Sequence, residues 1–373
     1  MELYPQLIID ALQTVRYPGT GKNIIEMGIL EDDMRIAGMH VSFSLLFDKP
    51  TNPFLKSLVK AAEAAIHAYV SKDVTVEIKV ASPSPAEGDK KQSAVANSPT
   101  EGLQGANIIA VSSGKGGVGK STVAANLAIG LARLGYRVGL LDCDIFGPSV
   151  PKMFQLENTQ IYSEEHDGKA LIVPAEKYGV KVLSIGFFVD PAQATIWRGG
   201  MASNALKQLI GEAAWGDIDY FILDTPPGTS DIHLTLVQTL PITGAVIVST
   251  PQQVALADAR KGINMFTKEK VNVPILGLVE NMAWFTPAEL PENRYYIFGR
   301  EGVKQLAEEM EIPLLAQIPL VQSVCESGDA GEPAVLHPET PAGNAFLQLA
   351  ARVVTQTDKR NAELAKTKVV QTH

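Results

Sequence analysis

Between Gly114 and Thr122 the chain reads Gly-Lys-Gly-Gly-Val-Gly-Lys-Ser-Thr, which gathers two lysines, two hydroxyls and four glycines. Four residues separate Gly114 from Gly119-Lys120-Ser121, the spacing of a phosphate-binding loop. Lys115, Gly116, Gly117 and Val118 fill that interval. Backbone N–H groups in such a loop turn toward phosphate oxygens, and glycines let the chain come close. Lys120 would neutralise β/γ-phosphate charge, and the Ser121 hydroxyl would bind Mg2+, with Thr122 behind it. The chemistry expected is therefore that of Mg-ATP. Lys115 follows the first glycine directly. In an ordinary loop that position faces away from its own phosphates, so a lysine there suggests work across a subunit boundary.

The flanking elements suit this chemistry. Asn107–Ser113 is a short apolar, β-branched run that reads as a buried parallel strand. From Ser121 to Leu134 the apolar residues Val123, Leu127, Ile129 and Leu131 follow a helical pattern that Gly135 ends. Strand, glycine loop and helix N-terminus together make an anion site, because the helix dipole adds partial positive charge.

Two further strands end in acid. Arg137–Asp144 carries Asp142 and Asp144 at its C-terminal end, where ligand sites form in open parallel sheets. A carboxylate there orients an attacking water, joins the magnesium shell or caps the following turn. Tyr220–Asp224 leads into Thr225-Pro226-Pro227-Gly228, a Walker B strand followed by a stiff turn that suits a γ-phosphate switch. Asp224 is expected to reach Mg2+ directly or through water, and Asp231 to cap the helix that starts at Ile232.

Around this site the chain divides. Residues 1–82 pattern as a small α+β domain, with helices at Tyr4–Val15 and Pro53–Val70 and half-buried strands at Met34–Phe47 and Val74–Val80. Residues 83–105 are rich in Ser, Pro, Ala, Gly and charge and read as a flexible linker. In residues 106–356, seven apolar strands alternate with helices, which implies an α/β, mostly parallel, doubly wound sheet. Residues 357–373 are polar and mixed in charge, as a frayed tail would be.

Composition excludes some classes. A net charge of −9 argues against nonspecific nucleic-acid binding. No apolar run approaches the roughly 18 residues of a membrane span, and no signal peptide is evident. With two cysteines there is no disulfide framework, so a cytoplasmic setting is expected. The six histidines are scattered, with no pair at ligand spacing.

In order, GKGGVGKST, LDCDIFGPSVP, WRGGM, FILDTPPGTSD, VSTPQQVALAD and VENMAWF resemble the Mrp/ApbC-type P-loop ATPases over residues 105–350. These are relatives of MinD and the nitrogenase iron protein, associated with iron–sulfur cluster assembly. The N-terminal unit is similar to the small domain fused to such ATPases. The resemblance implies a face-to-face homodimer in which Lys115 reaches the partner's nucleotide. It places Lys120, Ser121 and Thr122 in the phosphate loop, Asp144 in switch I, Asp224 in switch II and Asn281 at the adenine base. It further implies a slow ATPase that carries or assembles a 4Fe-4S cluster for apo-protein clients, with no stable membrane association.

Members that carry a cluster have a Cys-x-x-Cys pair after the ENM motif, and two such pairs supply four thiolates. Here Trp284–Arg294 holds no cysteine. Cys143 reads as a small buried residue, and Cys325, on a Ser/Gly-flanked segment, is a candidate for exposure. A second reading stands beside the carrier: a nucleotide-gated switch that binds no cluster and acts through a protein partner. A positioning ATPase of the MinD or ParA kind would call for a basic amphipathic C-terminal helix, whereas Pro341–Val354 has Arg352 as its one basic residue.

Overall fold

The computed structural model describes residues 5–15, 23–27, 29–30, 34–46, 55–81, 103–145, 147–166, 169–188, 199–287, 289–290, 292–322, 324, 328 and 330–370. Two compact units divide the chain, Met1–Ala94 and Val95–His373. Of the expected linker, residues 103–105 alone lie among those described.

The first unit packs α1 (Pro5–Leu12) and α2 (Leu55–Tyr69) on a sheet of β1 (Arg35–Ala37), β2 (His40–Leu46) and β3 (Thr75–Ala81). Val41, Phe43 and Leu45 alternate inward along β2 and meet Ile8, Leu12, Ala62 and Ile66. Where the alternation suggests one strand over Met34–Phe47, the chain makes a hairpin. Ala37 pairs with His40, and Gly38 takes φ +62 in the two-residue turn.

The second unit is built on an eight-stranded sheet. Its strands in chain order are β4 (Asn107–Ser112), β5 (Val138–Asp142), β8 (Ala175–Lys177), β9 (Val180–Ser184), β10 (Tyr220–Asp224), β11 (Gly244–Ser249), β12 (Ile275–Glu280) and β13 (Leu314–Gln317). Across the sheet the order is β13-β12-β11-β4-β10-β5-β9-β8, and every pair is parallel except β8 with β9. All seven strands expected from sequence are present. The edge strand β8 and a separate hairpin of β6 (Ser163–His166) and β7 (Lys169–Ile172) are additions. Their strands are only three or four residues long, too short for a hydropathy period to show.

Successive residues of each central strand serve opposite faces. Ile108, Ala110, Phe221, Leu223, Ala245 and Ile247 face the helices α5 (Gly199–Gly211), α6 (Asp231–Thr239), α7 (Gln253–Thr267) and α8 (Gly302–Glu309). Ile109, Val111, Ile222, Val246 and Val248 face α3 (Lys120–Arg133), the single turn α4 (Val150–Met153) and α9 (Pro341–Glu363). Helices therefore cover both faces, the arrangement that runs of buried β-branched strands require.

The C-terminal boundary differs from expectation. Rather than fraying after residue 356, α9 continues to Glu363 with Thr357 fully buried and Arg360 7% exposed. Thr357 Oγ1 donates to the Val353 carbonyl at 2.7 Å, which satisfies its hydroxyl within the helix. Beyond the helix, the Val370 amide donates to the Val237 carbonyl at 3.0 Å. These polar residues are paired inside the fold, a state their composition does not reveal.

Candidate nucleotide site

Strand β4 is central and its neighbours β10 and β11 lead to opposite sides, so its C-terminal end is the switch point of the sheet. The chain leaves β4 at Ser112, loops through 113–119 and enters α3 at Lys120. Gly117 and Gly119 both take φ +81, a left-handed conformation that L side chains resist. At Gly119 a Cβ would also lie 2.2 Å from Asn281 Nδ2. At Gly114 it would lie 2.1 Å from the Asp258 backbone in α7. The glycines expected to admit a ligand are thus equally required by the protein packed behind them.

A cavity of about 300 Å3 lies over this loop, lined by Lys115, Lys120, Ser121, Thr122, Asp144 and Pro227 among others. The structure brings Lys115, Lys120, Ser121, Thr122 and Asp144 to one cavity. Lys115 is half-buried, and no hydrogen bond or ion pair holds its ammonium among the described residues.

Beneath the cavity, Lys120 (6% exposed) forms an ion pair with Oδ1 of the fully buried Asp224. Lys120 Nζ also donates to Ser121 Oγ at 3.1 Å. Burial raises the Asp224 carboxyl above its ordinary range, and the Lys120 ammonium works against that rise. Asp224 Oδ2 is buried with no hydrogen-bond partner. An orphaned carboxylate oxygen beside a serine hydroxyl suits the hydrated shell of a divalent cation, so these donors fit Mg2+.

Two of the expected residues have partners within the protein. Asp142, a candidate for the magnesium shell, does not line the cavity. Its oxygens accept from the Asp144 and Val150 amides at 3.0 and 3.3 Å and from Ser184 Oγ at 3.0 Å. Burial, followed by the nearby Asp224 charge, pushes its carboxyl up to about 8. Asp142 therefore shapes the turn that presents Asp144. Asn281, expected at the adenine, is buried and donates from Nδ2 to the Val118 carbonyl at 2.8 Å, bracing the loop from beneath. Its position directly after β12 carries no sequence signal for that bond.

The loop that follows β10 is tied to the same place. The Gly228 amide donates to the Ser113 carbonyl at 3.0 Å, and Thr225 Oγ1 donates to the Val111 carbonyl at 3.0 Å. Ser230, not Asp231, is the N-cap of α6, and its amide donates to His233 Nδ1 at 3.2 Å. His233 Nε2 meets Ser112 Oγ at 3.4 Å, and burial lowers its pKa to about 4. This histidine, one of the six scattered along the sequence, is a neutral strut between β4 and α6.

Comparison with known proteins agrees with this geometry. Residues 104–354 match the ParA family, described as NUBPL iron-transfer P-loop NTPase. The chain belongs to this P-loop NTPase family. Residues 5–80 match the FeS_assembly_P family of iron-sulfur cluster assembly proteins. The chain is 40% identical over 347 residues to an iron-sulfur cluster carrier protein of Synechocystis sp., covering 93% of this chain and 96% of that one. To the carrier of Escherichia coli it is 50% identical over 251 residues, 67% of this chain and 66% of its relative. Among solved structures, the nucleotide-binding protein of Archaeoglobus fulgidus in complex with ADP is 36% identical, with a TM-score of 0.57 over 67% of this chain and 96% of that one.

The segment after β12 presents aromatic and basic side chains. Phe285 pairs with Tyr295 in an antiparallel bridge, and the Arg294 guanidinium lies 4.4 Å from the Trp284 ring centroid. Tyr295, Ile297 and Leu290 are exposed. Among the described residues no group of three or more His, Cys, Asp or Glu side chains could hold a metal ion. Cys143 is fully buried, and burial with the Asp142 charge raises its thiol well above the ordinary value, so it stays protonated. Cys325 lies outside the described residues. No described helix is long and apolar enough to cross a membrane.

Proposed function

We propose that this chain hydrolyses ATP with Mg2+ as a homodimer in the cytoplasm and serves iron–sulfur cluster assembly for apo-protein clients. The observation that carries the reading is the preformed phosphate loop over the Lys120–Asp224 floor. Its relatives' names supply the cluster half. Lys120 would move from Asp224 onto the β- and γ-phosphates, and the Gly114–Thr122 amides would hold the remaining oxygens. Ser121 and Asp224 would hold Mg2+, which neutralises charge developing on the transferred phosphoryl group. Asp144, presented by Asp142 at the cavity wall, would orient the attacking water. The unpaired Lys115 would reach the partner's phosphates, as an in-trans cation does in related chemistry.

A second reading is favoured by the cysteine-free segment Trp284–Arg294: the nucleotide gates docking of a protein, and the cluster itself rides elsewhere. Iron and acid-labile sulfide, measured on the full chain after anaerobic reconstitution, separate the two. About four irons per dimer identify a carrier with the usual four-ligand cluster. No bound iron with intact ATPase activity identifies the switch. Lys115→Ala tests the dimer: ATP binding remains measurable while turnover falls by about tenfold or more. Unchanged turnover in that variant would sink the in-trans role.

A further inference from the structure

The same sheet has a second cavity, at the edge where its parallel strands begin. Asn107 lines it and Ser113 lines the phosphate cavity, so β4 separates the two by roughly 20 Å. This cavity, about 480 Å3, opens between the start of β4, the turn before β11 and the chain that follows α9. Its wall carries Arg360 and Lys366 with the amide and hydroxyl side chains of Asn107, Thr243, Asn361 and Thr367, and no carboxylate. An adjoining cavity of about 430 Å3 shares Arg360 and Lys366, adds Lys270 and Lys368, and again has no acid in its wall. In a chain of net charge −9, two adjoining acid-free cationic cavities are a local reversal of charge.

Arg360 is the centre of that reversal. It is buried, yet no salt bridge holds it among the described residues. Nη1 donates to Asn361 Oδ1 at 3.1 Å, and Nη2 to the Ala365 carbonyl and Thr367 Oγ1, each at 2.7 Å. Nε has no acceptor. A guanidinium keeps its charge at any physiological pH, and a buried charge without a counter-ion is costly. The carbonyl end of α9 offsets part of that cost through its partial negative charge. The rest calls for an anion.

We propose that this cavity is a binding site for a small oxyanion, a phosphate or carboxylate group held by the Arg360 guanidinium with Lys366 and Thr367. The test is calorimetric titration of the full chain saturated with a non-hydrolysable Mg-ATP analogue, so that the phosphate loop, its γ-position included, is already filled. Inorganic phosphate and succinate serve as separate probes. Saturable binding is expected, weakened at least tenfold in Arg360→Gln and several-fold in Lys366→Gln, with affinity for the Mg-ATP analogue unchanged. Binding of phosphate alone assigns a phosphate ligand, and binding of succinate alone assigns a carboxylate. No saturable heat from either probe, or equal binding in wild type and both variants, overturns the proposal. Lys366 is solvent-exposed, so its variant keeps the test decisive should Arg360→Gln fail to fold.

Discussion

The phosphate loop and the segment that follows β12 meet at Asn281, yet they are built on opposite terms. In the loop, backbone does the work, and neighbours on every side fix it: Asn281 under Val118, Asp258 behind Gly114, the switch loop on Ser113. In the segment 284–297, exposed aromatic and basic side chains form the surface, held by backbone bridges from Phe285 to Tyr295 and Leu320 and by cation–π contacts of Arg294 on Trp284 and Arg300 on Tyr296. A site made of backbone geometry tolerates few residue types and leaves a rigid spacing in the sequence. A site made of exposed side chains can change its chemistry while the fold stays the same.

The sharpest way to break this contrast is at Lys120. Lys120→Ala removes the phosphate cation and leaves Asp224 buried without its partner. Hydrolysis is expected to fall on the order of a thousandfold, and breaking the buried pair should destabilise the apo fold by about 3–5 kcal/mol. Turnover with ATP and a urea midpoint read the two effects separately. A variant that loses hydrolysis at unchanged apo stability would mean that the Lys120–Asp224 pair is not part of the resting site.

Gly119→Ala tests the backbone itself. At φ +81 an alanine costs about 1–3 kcal/mol, and its Cβ would strike the Asn281 amide. Nucleotide affinity, read by ADP titration, should fall by about tenfold or more. Pairing it with Asn281→Gly should recover part of the loss, because the clash goes while the backbone strain stays. Full recovery would show that the left-handed conformation carries no cost here.

Much of this was open to reading in advance, for physical reasons. The seven apolar strands announce a parallel sheet because both of its faces are covered, and Gly114 to Thr122 announces an anion site because few other residues fit those angles. The bonds of Asn281 to Val118 and of His233 to Ser112 are not legible in the sequence, since each joins residues far apart in the chain. At Asp142 the sequence leaves the magnesium shell and the turn cap both open, because a strand-end aspartate can face either, and tertiary packing supplies the turn's hydrogen bonds. Thr357 and Arg360 looked like tail because composition cannot show a polar group paired inside the fold.

A smaller effect separates the rigid region from its surroundings by pH. His233 has a folded pKa of about 4, below the ordinary 6.5, so between those values the unfolded chain binds more protons. Stability should therefore rise with pH across that window, by up to about 3 kcal/mol from this group. His233→Gln keeps a side chain that can reach back to the Ser230 amide but cannot titrate. Thermal midpoints from pH 4 to 7.5 should be flatter in the variant. Parallel curves for variant and wild type would remove His233 as a neutral strut.

The smallest expected change belongs to the other region. Arg294 lies over Trp284 at a partly exposed site, so Arg294→Ala should cost about 0.5–1 kcal/mol of stability. Arg294 does not line the phosphate cavity, and basal ATP hydrolysis should stay within about twofold of wild type. The segment nevertheless begins at Asn281, whose side chain holds the phosphate loop. If nucleotide state reaches this surface through that bond, Asn281→Ala should change proteolytic protection of residues 284–297 between the ATP and ADP forms, whereas Arg294→Ala should leave the difference intact. Equal protection in both nucleotide states of the wild type would mean that the two regions are neighbours without being coupled.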